Sequence, residues 1–286
     1  MNIVDAVVQG ILLGGLYALF ATGLSLIFGV MRLVNIAHGD FIVLGAYVAL
    51  IVTQTLGLHP FLSLIIVVPV MAGIGYLIQK ALLNRTLGEN ILPPILITFG
   101  LAIIIQNTLL TFFSTDAQRL SAGPIEVASI EVGGLNLGVL PLLTFGVAVA
   151  LIAALEWLSF RTRLGRAFRA TSDDPEMARS IGVSTRHVFA LAMALCFAVI
   201  AVAGVLLAAR SNFDPFSGPA RLIYGFEAVI IGGLGNLWGT LAGGVVLGVA
   251  QTLGAQISPS FQILAGHIVF FIVLAIRPRG LFPRMD

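Results

Sequence analysis

The sequence predicts an all-α protein: a polytopic transmembrane helical bundle of about eight full membrane helices, one short broken or re-entrant segment, and a short helix in a polar loop. Three observations carry that prediction. Charged side chains make up 10% of the 286 residues, against roughly 25% in ordinary soluble domains, so most of the chain cannot face water. Apolar runs of about 20 residues, the length a helix needs to cross a hydrocarbon core about 30 Å thick, recur from end to end. The basic residues cluster in alternate gaps between those runs, as the sidedness of membrane insertion requires.

The runs lie near 6–30, 37–56, 61–83, 91–113, 138–159, 187–209, 222–235, 238–257 and 261–276. The first, opening MNIVDAVVQGILLGGLYALFATG, lacks the positive n-region of a cleaved signal and stays apolar too long for one, so it reads as a membrane helix. The seventh is too short to span upright. An Arg or Lys at the bilayer centre costs about 2.5–3.5 kcal/mol, so the charged gaps lie outside the membrane. Arg32, then Lys80 with Arg85, then Arg161, Arg163, Arg166, Arg169, Arg179 and Arg186, and finally Arg277, Arg279 and Arg284 mark one side. The positive-inside rule makes that side cytoplasmic. The gap 57–60 holds no Lys or Arg, and 114–137 sets Asp116, Glu126 and Glu131 against Arg119 alone, so both belong outside. A chain that starts outside at Asp5 and ends inside at Arg284 crosses an odd number of times. The 222–235 segment is therefore expected to cross as a short, protein-buried helix; if it re-enters instead, another boundary shifts. Residues 1–286 are expected to form a single transmembrane domain.

Gly10 with Gly14, Gly239 with Gly243, and Gly244 with Gly248 are small-xxx-small pairs that let helix backbones approach closely. The stretches NIAHGDFIVLGAY and GNLWGTLAGGVVLG echo one another faintly, which does not establish an internal repeat.

Several chemistries are excluded. The single Cys196 lies in an apolar run and offers neither a disulfide nor a cysteine metal site. The only lysine, Lys80, follows no glycine loop, so the chain is not itself a P-loop ATPase. Paired-histidine metal motifs and nucleophile elbows are missing, so no enzyme is expected, and a formal net charge of +2 gives nucleic-acid binding no support.

The loop 161–186 is the most basic stretch and carries a locally specified helix. In DDPEMARSIG, Asp174 is an N-cap, Pro175 takes the favoured first position and Gly182 is placed for a left-handed cap, giving about two turns. On the wheel, Met177, Ala178 and Ile181 share one face while Glu176, Arg179 and Ser180 fall on the other. That apolar face either packs back against the protein's own helix ends or docks a cytoplasmic partner. Burial of Met177, Ile181 and Val183 is worth about 1.5–3 kcal/mol each, against about 5.5 kcal/mol to swing a two-state transporter from 1:99 to 99:1.

Polar residues within the runs form two constellations. Asn35, His38 and Asp40 open the second run, where they either face a pathway or sit near the interface. In the interface reading His38 is a satisfied structural donor and Asp40 pairs with Arg32 or nearby backbone. Glu227 with Gly233, Gly235 and Asn236 marks a glycine-rich break: a hinge or pathway element, or a turn between packed helices with Glu227 paired to Arg221. Glu156, His187 and His267 read as residues at helix ends, capping or snorkelling.

EMARSIG resembles the cytoplasmic Glu-Ala-Ala-xxx-Gly loop of ABC-importer permeases, with Met177 in the middle position. LVNIAHGDF (33–41), GAY (45–47), LGRAFRATSDDPEMARSIGV (164–183), IGGLGNLWGTLAGG (231–244) and RPRGLF (277–282) run in the order of one branch, the branched-chain amino-acid type permeases. The chain departs from that branch in having only NRTLGEN, with Arg85, after the third run, and Pro283 after Phe282. The resemblance implies a bacterial inner-membrane permease subunit, multi-pass with a cytoplasmic C-terminus. It implies two cytoplasmic ATPase subunits, a second permease and an extracytoplasmic solute-binding protein as partners, with ATP hydrolysed by the partners and no cofactor on this chain. Asp174, Pro175, Glu176, Met177, Ala178, Arg179, Ile181, Gly182 and Val183 would couple to the ATPase. The implied solute is small and amphipathic: leucine, isoleucine or valine first, with urea, short amides or other amino acids next. Read without that resemblance, the same chain is also compatible with an ion-coupled transporter or channel using Asp40 and Glu227, or with a scaffold subunit.

Overall fold

The computed structural model describes residues 3–86 and 92–283; Arg284 lies outside them. Among the described residues, seven helices are long and apolar enough to cross a membrane. The first is α1 (Ile3–Met31), followed by α2 (His38–Leu56), α3 (Pro60–Ala81), α4 (Leu92–Phe113) and α5 (Val139–Arg161). A hairpin, β1 (Ser129–Val132) with β2 (Leu135–Gly138), precedes α5. Two short helices, α6 (Arg163–Asp173) and α7 (Pro175–Ser180), lead to α8 (Thr185–Arg210). The chain closes with α9 (Gly218–Gly232), α10 (Leu237–Ile257) and α11 (Phe261–Ile276). At 15 and 16 residues, α9 and α11 are about 22–24 Å long, short of a full hydrocarbon core. The eighth full span expected at 261–276 is thus one of two shortened helices.

The interior is set by α1 and α8. The most apolar stretch of α1 is 83% buried and that of α8 72%, against 22% for α3 and α4, so the outer helices keep apolar faces such as Leu77, Leu96 and Phe112 outward. In water those faces would be a liability; against acyl chains they cost nothing.

Two helices are broken, for a visible reason. After Met31 the chain turns at Arg32, with φ +49°, and runs back without helix to His38, whose Nε2–H donates to the carbonyl of Phe20 at 2.8 Å. Phe20 lies eleven residues inside the end of α1, about 16 Å from it, so α2 begins deep in the bundle. Residues 211–217 make the matching return between α8 and α9, and Gly218 meets Gly39 backbone to backbone. A side chain at either glycine would collide with the other strand: a Cβ at Gly39 would lie 2.0 Å from the Gly218 carbonyl oxygen. The short α9 follows these extended residues and is covered by α1, α2, α10 and α11.

The arrangement repeats. Helix, extended return, buried helix and two further helices occur as α1–α4 and again, in the opposite direction, as α8–α11. α1 packs antiparallel on α10 where α8 packs antiparallel on α3, and α9 packs on α1 where α2 packs on α8. The echo in the sequence does not mark this repeat, because opposite insertion preserves a pattern of packing rather than an order of residues.

The glycine pairs separate into two faces of α10. Gly244 and Gly248 abut α1, with Gly14 and Gly10 returning the contact, whereas Gly239 and Gly243 abut α9 at Gly232 and Ala228. One helix can pack tightly against two partners only because both of its stripes lack side chains.

At the acidic end, β1 and β2 pair antiparallel from Ser129↔Gly138 to Val132↔Leu135. Gly133 and Gly134, at φ +58° and +81°, supply the two left-handed positions of a tight hairpin turn. Gln118 pairs with Phe213 across the two outer loops, and Arg119 bonds Glu126 at 2.9 Å.

Candidate functional site

The polar loop at the basic end is built as its local sequence dictates. Thr162 caps α6 by accepting from the Gly165 amide at 3.1 Å, and Phe168 is buried at 3% exposure. Arg169 donates to the Ser159 carbonyl and stacks 5.0 Å over the Phe160 ring, and Ser172 donates to the Gly29 carbonyl at 2.7 Å. These contacts fix α6 against α1 and α5. α6 was not expected from the sequence, where its arginines read as loop; only the spacing of Leu164, Phe168 and Thr171 announces it.

α7 follows immediately. The Asp174 carboxylate accepts from the amides of Glu176 and Met177, both at 2.9 Å, Pro175 is the first helical residue, and Gly182 stands at φ +88°. The Val183 amide donates to Ala178 and the Gly182 amide to Arg179, closing the helix with the paired bonds of a Schellman cap. Arg179 donates to the Thr185 hydroxyl at 2.9 Å. The expected apolar face divides. Ala178 is buried, whereas Met177 and Ile181 are 62% and 71% exposed, and Glu176 is exposed. The loop thus holds a rigid, doubly capped turn with two large apolar tips pointing away from the chain.

Between α1, α5, α6 and the start of α10 opens a cavity of about 310 Å³, lined in part by Ser25, Glu156, Arg169 and Asn236. Glu156 lies on the wall of this cavity, five residues before the end of α5. His187 lies at the start of α8 beside the Tyr76 hydroxyl, 3.0 Å away.

The first intramembrane constellation lies where the half-helices meet. The Asn35 side chain accepts from the Ala37 amide at 3.0 Å, shaping the approach to α2. His38 is fully buried against Phe20 and 3.9 Å from the Cys196 sulfur. Asp40 accepts from Gln106 Nε2 of α4 at 2.8 Å. Gln106 stands where Arg32 was the anticipated side-chain partner, Asp40 is 2% exposed inside the bundle, and His38 is the satisfied donor that one of the two readings expected. Gln106 is absent from the sequence reading; its signal is the amide pair Gln106-Asn107 in the middle of a largely apolar helix.

The second constellation also resolves. Gly233 and Gly235, at φ +108° and +79°, form the turn from α9 to α10, and Asn236 caps α10 by accepting from Gly239 at 2.9 Å. The RPRGLF motif then folds over that turn. Leu281 donates to Ile231, Phe282 to Gly232, and Asn236 Nδ2 donates to the Phe282 carbonyl. These bonds satisfy the carbonyls that the end of α9 leaves free. Glu227 pairs with His267 of α11, not with Arg221; His267 sits six residues inside its helix, away from the end where it was expected.

Broken helices meeting at membrane depth, ionisable groups held between them and a rigid polar loop at one end together define a polytopic membrane permease of the transport class. The chain belongs to the family described as branched-chain amino acid transport system / permease component, whose model matches residues 6–276. It is similar to the high-affinity branched-chain amino acid transport system permease protein BraD of Pseudomonas aeruginosa, 28% identical over 98% of this chain and 95% of the relative. It is also similar to LivH of Salmonella typhimurium, a permease protein of the same description, 29% identical over 97% of this chain and 94% of the relative. The fructose import permease protein FrcC of Rhizobium meliloti is 28% identical over 85% of this chain and 69% of that protein. No solved structure gave a match. The family is one of transport permeases rather than enzymes.

Proposed function

We propose that this chain is the permease subunit of an ATP-driven importer of the bacterial inner membrane, with its basic end and C-terminus in the cytoplasm. Two ATPase subunits dock at the basic end, a second, related permease completes the pore, and an extracytoplasmic binding protein delivers the solute. The chain itself binds no nucleotide; ATP is hydrolysed by the partners. Branched-chain amino acids are the first solutes to test, as the family description and the BraD and LivH relatives support. Urea and short amides are the next.

The observation that carries the reading is the exposed Met177–Ile181 pair on a helix whose two ends are locked by Asp174 and Gly182. A helix anchored at both ends transmits force instead of fraying, and covering these two side chains is worth about 3–6 kcal/mol. Two such helices in one assembly reach the roughly 5.5 kcal/mol needed to switch a transporter's state.

The test is co-purification with the ATPase encoded beside this chain. The double substitution Met177→Asp, Ile181→Asp abolishes that association and ATP-dependent uptake if the reading holds. Unchanged association removes 173–183 from the coupling role. Uptake by the purified chain alone in liposomes, driven by a proton or sodium gradient, would replace the importer reading with an ion-coupled transporter.

A further inference from the structure

A second polar cluster, on the α9 side of the bundle, is not accounted for by packing. The Tyr17 hydroxyl of α1 donates to Gln251 Oε1 of α10 at 2.5 Å, and the Tyr17 ring lies 5.0 Å from the Tyr224 ring of α9. Gln251 Nε2 lies beside Gly266 of α11, one residue from His267, which holds Glu227 of α9. Arg221, six residues before Glu227 on α9, lies within electrostatic reach of both tyrosines, as Glu227 does. Four helices thus bring a carboxylate, a guanidinium, two phenols, a carboxamide and an imidazole into one region of the bundle.

If the cluster only tied α9 to α11, its polar atoms would be paired among themselves. They are not. Glu227 Oε2, Gln251 Nε2 and Arg221 Nε are buried without a protein partner, although Glu227 and Gln251 are 4% and 1% exposed. One carboxylate oxygen can accept, while one carboxamide and one guanidinium nitrogen can donate. Ile223, 48% exposed, and the half-open side chain of His267 place the cluster near the lateral face of the chain.

We propose that Tyr17, Arg221, Glu227 and Gln251 form the intramembrane contact point for the charged head of a zwitterionic solute. Arg221 and Gln251 face its carboxylate, and Glu227 faces its ammonium group. A zwitterion leaves water for an apolar passage only when both charges are matched, and this cluster carries both signs on one helix, Arg221 and Glu227 of α9. The proposal rests on the importer reading, with an amino acid as solute.

The experiment uses the full importer, with its ATPases and binding protein, in proteoliposomes supplied with leucine, and reads leucine taken up per ATP hydrolysed. Glu227→Gln is expected to lower that ratio about tenfold, the scale of one lost hydrogen bond to a charged group. Tyr17→Phe with Gln251→Leu removes donor and acceptor together, avoiding a stranded partner, and should lower the ratio at least threefold. A ratio unchanged in both variants, whether or not the rates fall, makes the cluster a packing tie and overturns the proposal. A wild-type assembly that takes up leucine without ATP sinks the importer reading instead.

Discussion

The Asp40 carboxylate occupies the space in which a side chain at Gly218 would begin: a Cβ there would lie 2.1 Å from Oδ1 and 2.8 Å from the Asp40 backbone nitrogen. The starts of two helices that are far apart in sequence, α2 and α9, are therefore fitted to each other at a single point inside the bundle. Gly218→Ala must push them apart and is expected to destabilise the chain by about 1–3 kcal/mol. Gly73→Ala, where a Cβ meets nothing within 4 Å, should stay within about 0.5 kcal/mol. Unfolding of the two purified variants in the same detergent checks the difference.

The Gln106–Asp40 bond is the second constraint on that junction. Gln106→Leu leaves Asp40 buried without its side-chain donor, a loss of about 1–3 kcal/mol. Gln106→Asn, with the amide retained but withdrawn by one methylene, should behave like Gln106→Leu if reach matters, and the same unfolding assay distinguishes the two cases.

Asp174→Ala removes both cap bonds to Glu176 and Met177, at a cost of about 0.5–2 kcal/mol to α7. Hydrogen exchange at those two amides should accelerate while the amides of α8 are unaffected. Asp174→Asn keeps an acceptor and should preserve most of the protection.

Gly280→Ala places a side chain at φ +82° and 2.6 Å from the Gly233 nitrogen. The closing segment should then peel from α9, and the Leu281 and Phe282 amides, which donate to Ile231 and Gly232, should lose exchange protection. Equal protection in wild type and variant would mean that these bonds do not hold the segment down.

Met177→Asp with Ile181→Asp touches side chains that are mostly exposed, so the thermal stability of the isolated chain should change by no more than about 0.5 kcal/mol. A large fall in stability would show that the pair packs within the chain and would undercut its use as a docking surface.

The sequence by itself determined the membrane class, the approximate places of the apolar helices and the geometry of α7. Each rests on information local to a segment: apolar length, charge between runs, and the cap residues Asp174, Pro175 and Gly182. The glycine pairs of α10 were legible as close-packing stripes for the same reason. Only the tertiary structure decided which helices those stripes meet and that α2 and α9 are broken at matching depths. It also decided that Asp40 answers to Gln106, and Glu227 to His267. Those pairings join residues 66 and 40 positions apart, and a side chain's partner across such a distance depends on how whole helices pack, which no local pattern encodes. His38 shows the difference most plainly. Its neighbours in sequence left it either facing a pathway or near an interface; its bond to Phe20 places it inside the bundle, because the chain turns back at Arg32 before the helix resumes.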